Sequence, residues 1–576
     1  MMIKREGIPQ PFGAHAEKDK VNFAVQVPRG QKCELLLYRA GKNIPEIVFE
    51  MPEEEGIGEV RYLAVEGKNI SRYEYNYRIN KKVCMDPYVK EIAGKKAFGI
   101  RQNLQEHEIR GKIVPSGYDW NGDKRLHIPW NEVVAYSLHV RGFTKHSSSK
   151  VAHKGTFLGV TEKIPYLKEL GINQIQCMPV YEFEEYVNGQ INYWGYGEGY
   201  YFAPKHSYAA GKNASTELKD MVRACHEAGI EVVLEMPFGE KTSVQTALEC
   251  LKFYMMEYHI DGFVVNPYSV PWDILNADPF LKDIKLMRKD DGYQNVMRRF
   301  LKGDENMVND VMWALEHNSA EDGKCNYITG HTGFTLWDLV SYDGKHNEGN
   351  GERNQDGPEF NYSWNCGAEG PSRKKAVMAL RKNQAENAFT LLLTSQGTPC
   401  LLAGDEFYNS QKGNNNVYCQ DNETAWVNWS RLKTDDSLFR HVKSLIGFRK
   451  EHGCLHRRDG LKGMDRNGCG MPDVSFHGEY AWRAMTDVAS RQLGAMYAAE
   501  GEKDEACFIA YNMHWIPHPF ALPSPGKGKK WMLAGTTADG LLEKPEPLEE
   551  QKIIELKERS ISLLVSRQRS ERDEGV

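Results

Sequence analysis

The sequence predicts an α/β protein in which a (β/α)8 TIM barrel is flanked by an N-terminal β-sandwich and a C-terminal antiparallel β-sandwich. Short β-rich runs and turns fill the region before Leu104, apolar strands alternate with helical stretches from Asn131, and the helical pattern stops after about Met464. Repeated helix-then-strand units are typical of a parallel sheet with right-handed crossovers. These patterns divide the chain into a sandwich at 1–103, a linker at 104–130, a barrel at 131–464 and a terminal sandwich at 465–576.

The two flanking regions show the period of two that is typical of half-buried strands. Near the N-terminus we expect strands at 21–27, 33–38 and 73–79, with Gly, Pro and Asn between them. Residues 104–129 show no strong periodicity, which indicates a linker. Near the C-terminus we expect strands at 480–484, 492–497, 506–512 and 560–566, and then a charged tail from Arg567 that frays.

The central region has a strand count that favours a barrel over a doubly wound sheet. Strands are predicted at 133–138, 174–179, 231–234, 262–265, 285–287, 326–329 and 399–403, with helices at 161–170, 215–228 and 245–257. A doubly wound dinucleotide-binding sheet carries a glycine-rich turn after its first strand. The nearest such run, GYGEG at 195–199, follows no buried strand.

Composition excludes several classes of protein. Of the 576 residues, 41% are hydrophobic and 26% are charged, so the chain is expected to bury large cores. The net charge of −6 predicts no basic face for nucleic acid, and the lack of a long apolar run predicts no membrane span. The start, MMIKREGIPQPFG, has no apolar core and predicts no secretory signal, and the 12 cysteines are scattered without a CxxC pair. We therefore expect a cytoplasmic protein with reduced thiols, no metal and no cofactor.

The residues that follow the predicted barrel strands form no evident catalytic set. Asn266 follows the strand at 262–265, Lys289 the strand at 285–287 and Thr332 the strand at 326–329, which places an amide, an amine and a hydroxyl at these strand ends. Acids remain at Glu235, Glu240, Asp405 and Glu406. These acids are explained most simply as partners of helix dipoles or loops.

Longer strings of residues resemble a known family. The runs YSLHVRGFT (136–144), NYWGY (192–196), GFTLWDLVSY (333–342), AGDEF (403–407) and GNNN (413–416) are similar to isoamylase-type glycogen debranching enzymes. These enzymes belong to glycoside hydrolase family 13, in the α-amylase superfamily. The resemblance covers nearly the whole chain. It implies that the N-terminal sandwich is a family 48 carbohydrate-binding module (CBM48) and that the last region is the family's C-terminal β-domain.

The catalytic carboxylates of that family do not carry over. The family's nucleophile is an aspartate after strand four, its acid/base is a glutamate after strand five, and a second aspartate follows a histidine after strand seven. The matching positions here hold Asn266, Lys289 and Thr332. The assignment of Lys289 crosses a gapped stretch, whereas Asn266 and Thr332 lie in ungapped matches. We therefore expect no catalytic residue at these three positions.

Other matching positions imply contacts with sugar. Tyr196 matches a tyrosine that stacks beneath the sugar beside the cleaved bond, and His331 matches a histidine that hydrogen-bonds its hydroxyls. Trp194 lies in the same motif as Tyr196. The alternative is structural: the two aromatic rings pack the loop, and His331 is an ordinary strand-end residue.

The sequence thus predicts a catalytically degenerate homologue of glycogen debranching enzymes that binds α-glucan (glycogen, starch or maltooligosaccharide) or regulates an active debranching enzyme as its protein partner. One alternative is an active α-1,6-glucosidase that uses displaced carboxylates, Glu235 or Glu240, paired with Asp273 or Asp290. The other is a structural scaffold that binds no glucan. For the N-terminal sandwich, packing against the barrel is favoured slightly over sugar binding.

Overall fold

The computed structural model describes residues 2–95, 97–101, 109–115, 117–211, 213–501 and 504–569. Within it the chain forms two compact units. The first comprises Met1–Leu126, His139–Ile164 and Cys177–Ile284, and the second comprises His127–Leu138, Pro165–Gln176 and Lys285–Val576.

The N-terminal region of the first unit is a sandwich of two antiparallel sheets. Its strands are β1 (Ile3–Arg5), β2 (Gly13–Glu17), β3 (Lys20–Gln26), β4 (Cys33–Arg39), β5 (Ile47–Glu50), β6 (Val60–Glu66), β7 (Tyr73–Ile79), β8 (Lys82–Cys84), β9 (Ile92–Ala93) and β10 (Arg110–Lys112). One sheet has the order β1-β6-β3-β2, and the other has the order β5-β4-β7-β10-β9, with β8 beside β7. Apolar residues from both sheets, among them Phe23, Leu35 and Tyr77, form the core between them. The three strands predicted here are confirmed.

Part of the segment interpreted as a linker is sheet, because β10 pairs with both β7 and β9. The preceding residues 102–108, on which part of that prediction falls, lie outside the described part of the chain.

The middle of the chain forms the predicted parallel barrel. Its strands are β11 (Ala135–Leu138), β12 (Gln174–Cys177), β17 (Glu231–Glu235), β18 (Gly262–Val264), β19 (Lys285–Lys289), β20 (Lys324–Asn326) and β21 (Thr398–Leu402), and they close in that order. Short pairs that precede β17 are β13 (Tyr181–Phe183) with β16 (Gly199–Pro204), and β14 (Tyr186–Val187) with β15 (Gln190–Ile191).

Helices connect these strands as the sequence pattern predicts. They are α1 (Val140–Lys145), α2 (Phe157–Thr161), α3 (Ile164–Leu170), α4 (Ala214–Glu227), α5 (Val244–Tyr258), α6 (Trp272–Ala277), α7 (Asp291–Lys302), α8 (Val308–Glu316), α9 (Leu336–Leu339), α10 (Lys375–Thr394), α11 (Ser430–Thr434) and α12 (Ser437–Glu451). Among the described residues, no helix is long and apolar enough to cross a membrane.

The barrel has the seven strands that are predicted individually, one fewer than the eight that the (β/α)8 class implies. Between Lys289 and Lys324, a segment described throughout, the chain forms α7 and α8 but no strand, and β19 pairs directly with β20. Helix α7 ends at Gly303 in the left-handed conformation, and only a short turn separates it from α8. The turn between α7 and α8 is therefore too short to hold a further strand.

The C-terminal region of the second unit is β-rich, as predicted. Its strands are β22 (Val474–His477), β23 (Gln492–Tyr497), β24 (Cys507–Asn512), β25 (His518–Ala521), β26 (Lys529–Thr536), β27 (Gly540–Pro547), β28 (Ile553–Leu556) and β29 (Ser560–Gln568). The main sheet has the order β22-β23-β24-β29-β26-β27, and β25 pairs with β28. Phe508 and Trp531 lie in the core between them.

One strand prediction in this region is wrong. Residues 480–484 form a turn with an isolated bridge between Tyr480 and Arg483. Trp482 has φ of 65°, and its amide donates to Nδ1 of His477 at 2.8 Å. The apolar and aromatic residues that indicated a strand thus belong to a turn held by the neighbouring strand β22. The end of the charged tail, beyond Arg569, lies outside the described residues.

A buried ionic cluster holds the end of the linker against the first unit. His226 on α4 lies between two carboxylates, with Nδ1 3.0 Å from Asp123 and Nε2 2.9 Å from Asp261. His259 also contacts Asp123, at 2.7 Å. Burial opposes the charge on His226, but the hydrogen bonds and charges of Asp261 and Asp123 outweigh burial and raise its pKa.

We predict that His226→Gln lowers the free energy of unfolding by about 3 kcal/mol near pH 6, because it leaves buried carboxylates uncompensated. The pKa of His226 is raised in the folded state, so its contribution is full below the unfolded pKa of about 6.5 and is lost as pH rises through the folded pKa. The melting temperatures of variant and parent, measured by calorimetry, should therefore differ more at pH 6 than at pH 9.5.

His259→Gln is the matched control for this cluster, because the His259 side chain is 24% exposed and contacts a single carboxylate. We expect it to cost under about 1 kcal/mol. Equal effects of the two variants, or a difference that does not change with pH, would contradict the assigned role of His226.

Candidate active site

The loop before β16 presents Tyr196 in a fixed position. The Asn192 side chain donates to the Tyr196 carbonyl at 2.8 Å and accepts from the Gly195 amide at 3.0 Å, and Gly195 has φ of 84°. The Tyr196 hydroxyl donates a short hydrogen bond to Glu235, at the end of β17. Burial, and then the charge of Glu235, raise the pKa of Tyr196 well above its usual value. The Trp194 ring is buried, with its centroid 5.8 Å from that of Tyr196 and the planes at 64°.

Asn266 lies just beyond β18 and organises a turn. Its side-chain oxygen accepts from the Tyr268 amide at 3.0 Å, and its carbonyl accepts from the Ser269 and Val270 amides at 3.0 and 3.1 Å. The Asn266 side chain therefore stabilises the loop that enters α6. Tyr268, which follows it, is 94% exposed.

Two further acids of the first unit are exposed. Glu240 lies in the short turn between β17 and α5, which is held by a 2.8 Å bond from the Gly239 amide to the Tyr201 hydroxyl. Asp273 lies in the exposed first turn of α6.

In the second unit, Lys289 and His331 come together. Lys289 ends β19, His331 follows β20, and Nζ of Lys289 lies 2.9 Å from Nδ1 of His331. His331 is buried, whereas the next residue, Thr332, is exposed. Because an ammonium only donates, Nδ1 of His331 accepts in this contact.

The carboxylate of Asp290 is occupied as a helix cap. Its Oδ1 accepts from the Gly292 amide at 3.0 Å and from the Tyr293 amide at 3.3 Å at the start of α7. The side chain therefore satisfies amides that have no partner within the helix.

The two acids that follow β21 are buried, and both accept hydrogen bonds. Asp405 accepts from the Thr329 hydroxyl and, at 2.9 Å, from the Leu336 amide, and burial raises its pKa to about 8. Glu406 accepts from the Tyr136 hydroxyl at 2.7 Å and from the Tyr166 hydroxyl. Both carboxylates therefore bond to groups within the fold, and Glu406 does so through tyrosines of β11 and α3.

The sequence and the fold of this chain are similar to those of known proteins. The family model described as the alpha-amylase catalytic domain matches residues 137–261. The glycogen operon protein GlgX homolog of Haemophilus influenzae is 31% identical, over 79% of this chain and 86% of its own length. Isoamylase 1 of Arabidopsis thaliana is 30% identical, over 79% of this chain and 76% of its own length.

The chain belongs to the isoamylase family. Solved structures share its fold. The catalytic module of the pneumococcal virulence factor SpuA has a TM-score of 0.76 at 15% identity and covers 99% of this chain and 98% of that module. A pullulanase from an Anoxybacillus species, complexed with maltotetraose, has a TM-score of 0.71 at 19% identity and covers 96% of this chain and 87% of that one.

This isoamylase-family chain also contains a network of asparagine side chains, of which the GNNN run at 413–416 is one part. Asn347 and Asn415 bond to each other twice, from side chain to side chain at 2.8 Å and from the Asn415 amide at 3.0 Å. Asn414 donates to Asn350 at 2.9 Å. The run GNNN signalled the network, but its partners 64 to 68 residues away were visible only in the structure.

We predict that Glu406→Gln lowers the free energy of unfolding by about 2 kcal/mol. The glutamine NH2 group only donates, so it would face tyrosine hydroxyl or amide donors that now bond to a carboxylate oxygen. Calorimetric melting is the measurement. Tyr166→Phe, which removes a single donor, should cost about 1 kcal/mol. A Glu406→Gln protein that melts like the parent would show that Glu406 is not a structural acceptor.

Proposed function

We propose that this member of the glycogen and starch debranching family does not hydrolyse glycosidic bonds and acts as an α-glucan-binding or regulatory protein. The observation that carries the proposal is the set of residues at three strand ends of the barrel. Asn266, Lys289 and Thr332 stand where the family resemblance implies two aspartates and a glutamate. Glycosidases of this type require two carboxyl groups that flank the bond.

The amide at Asn266 removes covalent catalysis. An uncharged amide oxygen does not form the glycosyl ester that a carboxylate nucleophile forms, so the first chemical step has no nucleophile. The loss of a nucleophile in other covalent enzymes costs on the order of 10⁴ or more in rate. The Asn266 oxygen is further engaged by the Tyr268 amide.

Lys289 opposes the charge that develops in the reaction. An ammonium about 5 Å from an oxocarbenium-like centre repels it by about 3 kcal/mol at an effective dielectric of 20. The 2.9 Å contact between Lys289 and His331 supports the assignment of Lys289, because it sets the lysine beside the histidine that the resemblance matches to sugar binding. Thr332 donates a hydrogen bond but supplies no negative charge.

The acids suggested as displaced catalysts are poorly suited to that role. Glu235 is bound by the Tyr196 hydroxyl, and Asp290 caps α7. Glu240 and Asp273 are exposed to solvent, which weakens any electrostatic stabilisation they supply. These observations favour loss of hydrolysis over its relocation.

We predict that the purified protein releases no new reducing ends from glycogen limit dextrin, because Asn266, Lys289 and Thr332 supply no carboxylate at the three family positions. The assay is run beside an active isoamylase at equal concentration. Activity within about 10³ of that enzyme would overturn the proposal. Glu235→Gln is the accompanying variant: a background rate that it leaves unchanged supports the proposal, and a measurable rate that it abolishes identifies a displaced catalyst.

Glucan binding is supported by the aromatic loop. Tyr196 is braced by Asn192 and Glu235 against Trp194, so its ring is held in place before any ligand arrives. Preorganisation lowers the entropic cost of binding. A pullulanase of the same fold was solved with maltotetraose, and we infer that this chain binds α-1,4-linked glucose of the same kind.

We predict that Tyr196→Ala weakens glycogen binding about tenfold in affinity electrophoresis, whereas Tyr196→Phe retains most of it. Phenylalanine keeps the apolar ring face and removes only the hydroxyl that reaches Glu235. Equal losses in the two variants would assign the effect to the Glu235 bond and not to stacking. No retardation of the parent protein by glycogen would leave the scaffold alternative.

We infer a cytoplasmic location and, as protein partner, an active debranching enzyme of the same family. The N-terminal sandwich is proposed to be CBM48-like. Co-sedimentation of this chain with an active isoamylase, with and without glycogen, would separate a direct partner from two proteins that share one glucan.

A further inference from the structure

One end of the N-terminal sandwich contains a cleft with an unusual charge. The cleft has a volume of about 530 Å³, within the range of small-molecule sites. It lies where the chain crosses from one sheet to the other, between the end of β6 and the start of β7. Arg39, at the end of β4, stands opposite Tyr73 in the strand register and lines the same cleft.

Of three cations in the cleft, one is already neutralised. Arg39 makes two hydrogen bonds to Glu46, and Arg39 lowers the pKa of that carboxyl. The Tyr73 hydroxyl also donates to Glu46, at 3.4 Å. The Arg39–Glu46 pair forms one polar wall of the cleft.

The other two cations, Lys68 and Arg72, are exposed and line the cleft. Within the described part of the chain, no carboxylate forms an ion pair with either of them. Because Glu46 balances Arg39, the cleft carries about two positive charges. A phosphate monoester carries about −1.5 to −2 charges near pH 7, and arginine binds its oxygens in pairs.

The remaining lining suits a ring that bears hydroxyl groups. Ile47 and the Tyr73 ring offer apolar surface, and the side chains of Glu46 and Asn69 offer acceptors and donors. A free phosphate ion would leave most of the volume unfilled. We propose that this cleft, formed by Arg39, Glu46, Ile47, Lys68, Arg72 and Tyr73, binds a small phosphate monoester carried on a hydroxylated ring, of hexose phosphate size.

This site is separate from the barrel residues discussed above, and the inference stands whether or not the chain hydrolyses glucan. A ligand of this kind would give the sandwich a role besides packing. A small phosphorylated sugar would then bind the sandwich of a protein whose barrel is proposed to bind glucan polymer.

The test is isothermal titration of the full-length protein with three probes: glucose 6-phosphate, inorganic phosphate and glucose. We expect glucose 6-phosphate to bind at least tenfold more tightly than either other probe. The double variant Lys68→Gln and Arg72→Gln should weaken binding at least tenfold. Affinity should also fall as NaCl rises, because exposed charges are screened.

Lys20→Gln with Lys82→Gln is the matched control, since both residues are exposed in the same sandwich and the change in net charge is equal. The control should bind like the parent. Equal affinity for phosphate and glucose 6-phosphate would overturn the assignment of a sugar ester. No binding of glucose 6-phosphate, or the same loss in both double variants, would overturn the site itself. Thermal melting confirms that each variant is folded.

Discussion

Closure of the barrel between its last and first strands is the constraint on which the second unit depends. Strand β21 runs parallel to β11, with Cys400 beside Ala135, and the chain then turns so that Glu406 accepts the hydroxyl of Tyr136. The Gly404 amide bonds to the same Tyr136 hydroxyl at 3.2 Å. A buried carboxylate without such donors would cost several kcal/mol. The pairing of β21 with β11 is therefore stable only when Glu406 reaches the Tyr136 hydroxyl. Asp405, beside it, bonds to the residues that lead into α9.

The polar groups at the strand ends bond largely to one another. Tyr196 is bound to Glu235, and Lys289 lies against His331. Catalysis of glycosidic cleavage needs negative charge directed at the reacting carbon, and binding needs only fixed rings and hydrogen-bonding groups. The proposed function depends on the second requirement alone.

Much of the fold was predictable because its signals are local. The strand pattern at 21–27 and the helix-then-strand repeats of the barrel follow from the periodicity of apolar residues, which burial imposes directly on the sequence. The turn at 480–484 was not predictable, because its aromatic residues follow a strand-like pattern while a hydrogen bond to His477 bends the backbone. The seven barrel strands were predictable one by one, whereas the number eight came from the fold class and not from an apolar run in the chain.

For the candidate site, the sequence by itself determined which chemical groups follow three of the barrel strands. They are an amide at Asn266, an ammonium at Lys289 and a hydroxyl at Thr332. It also determined the family, because long ordered motifs specify a fold. Only the tertiary structure decided which groups touch. The contact between Lys289 and His331 joins residues 42 positions apart, and the cleft of Lys68, Arg72 and Arg39 gathers residues from separate strands and loops. Such contacts are set by strand register and loop closure, which act across the fold and leave no local pattern in the chain.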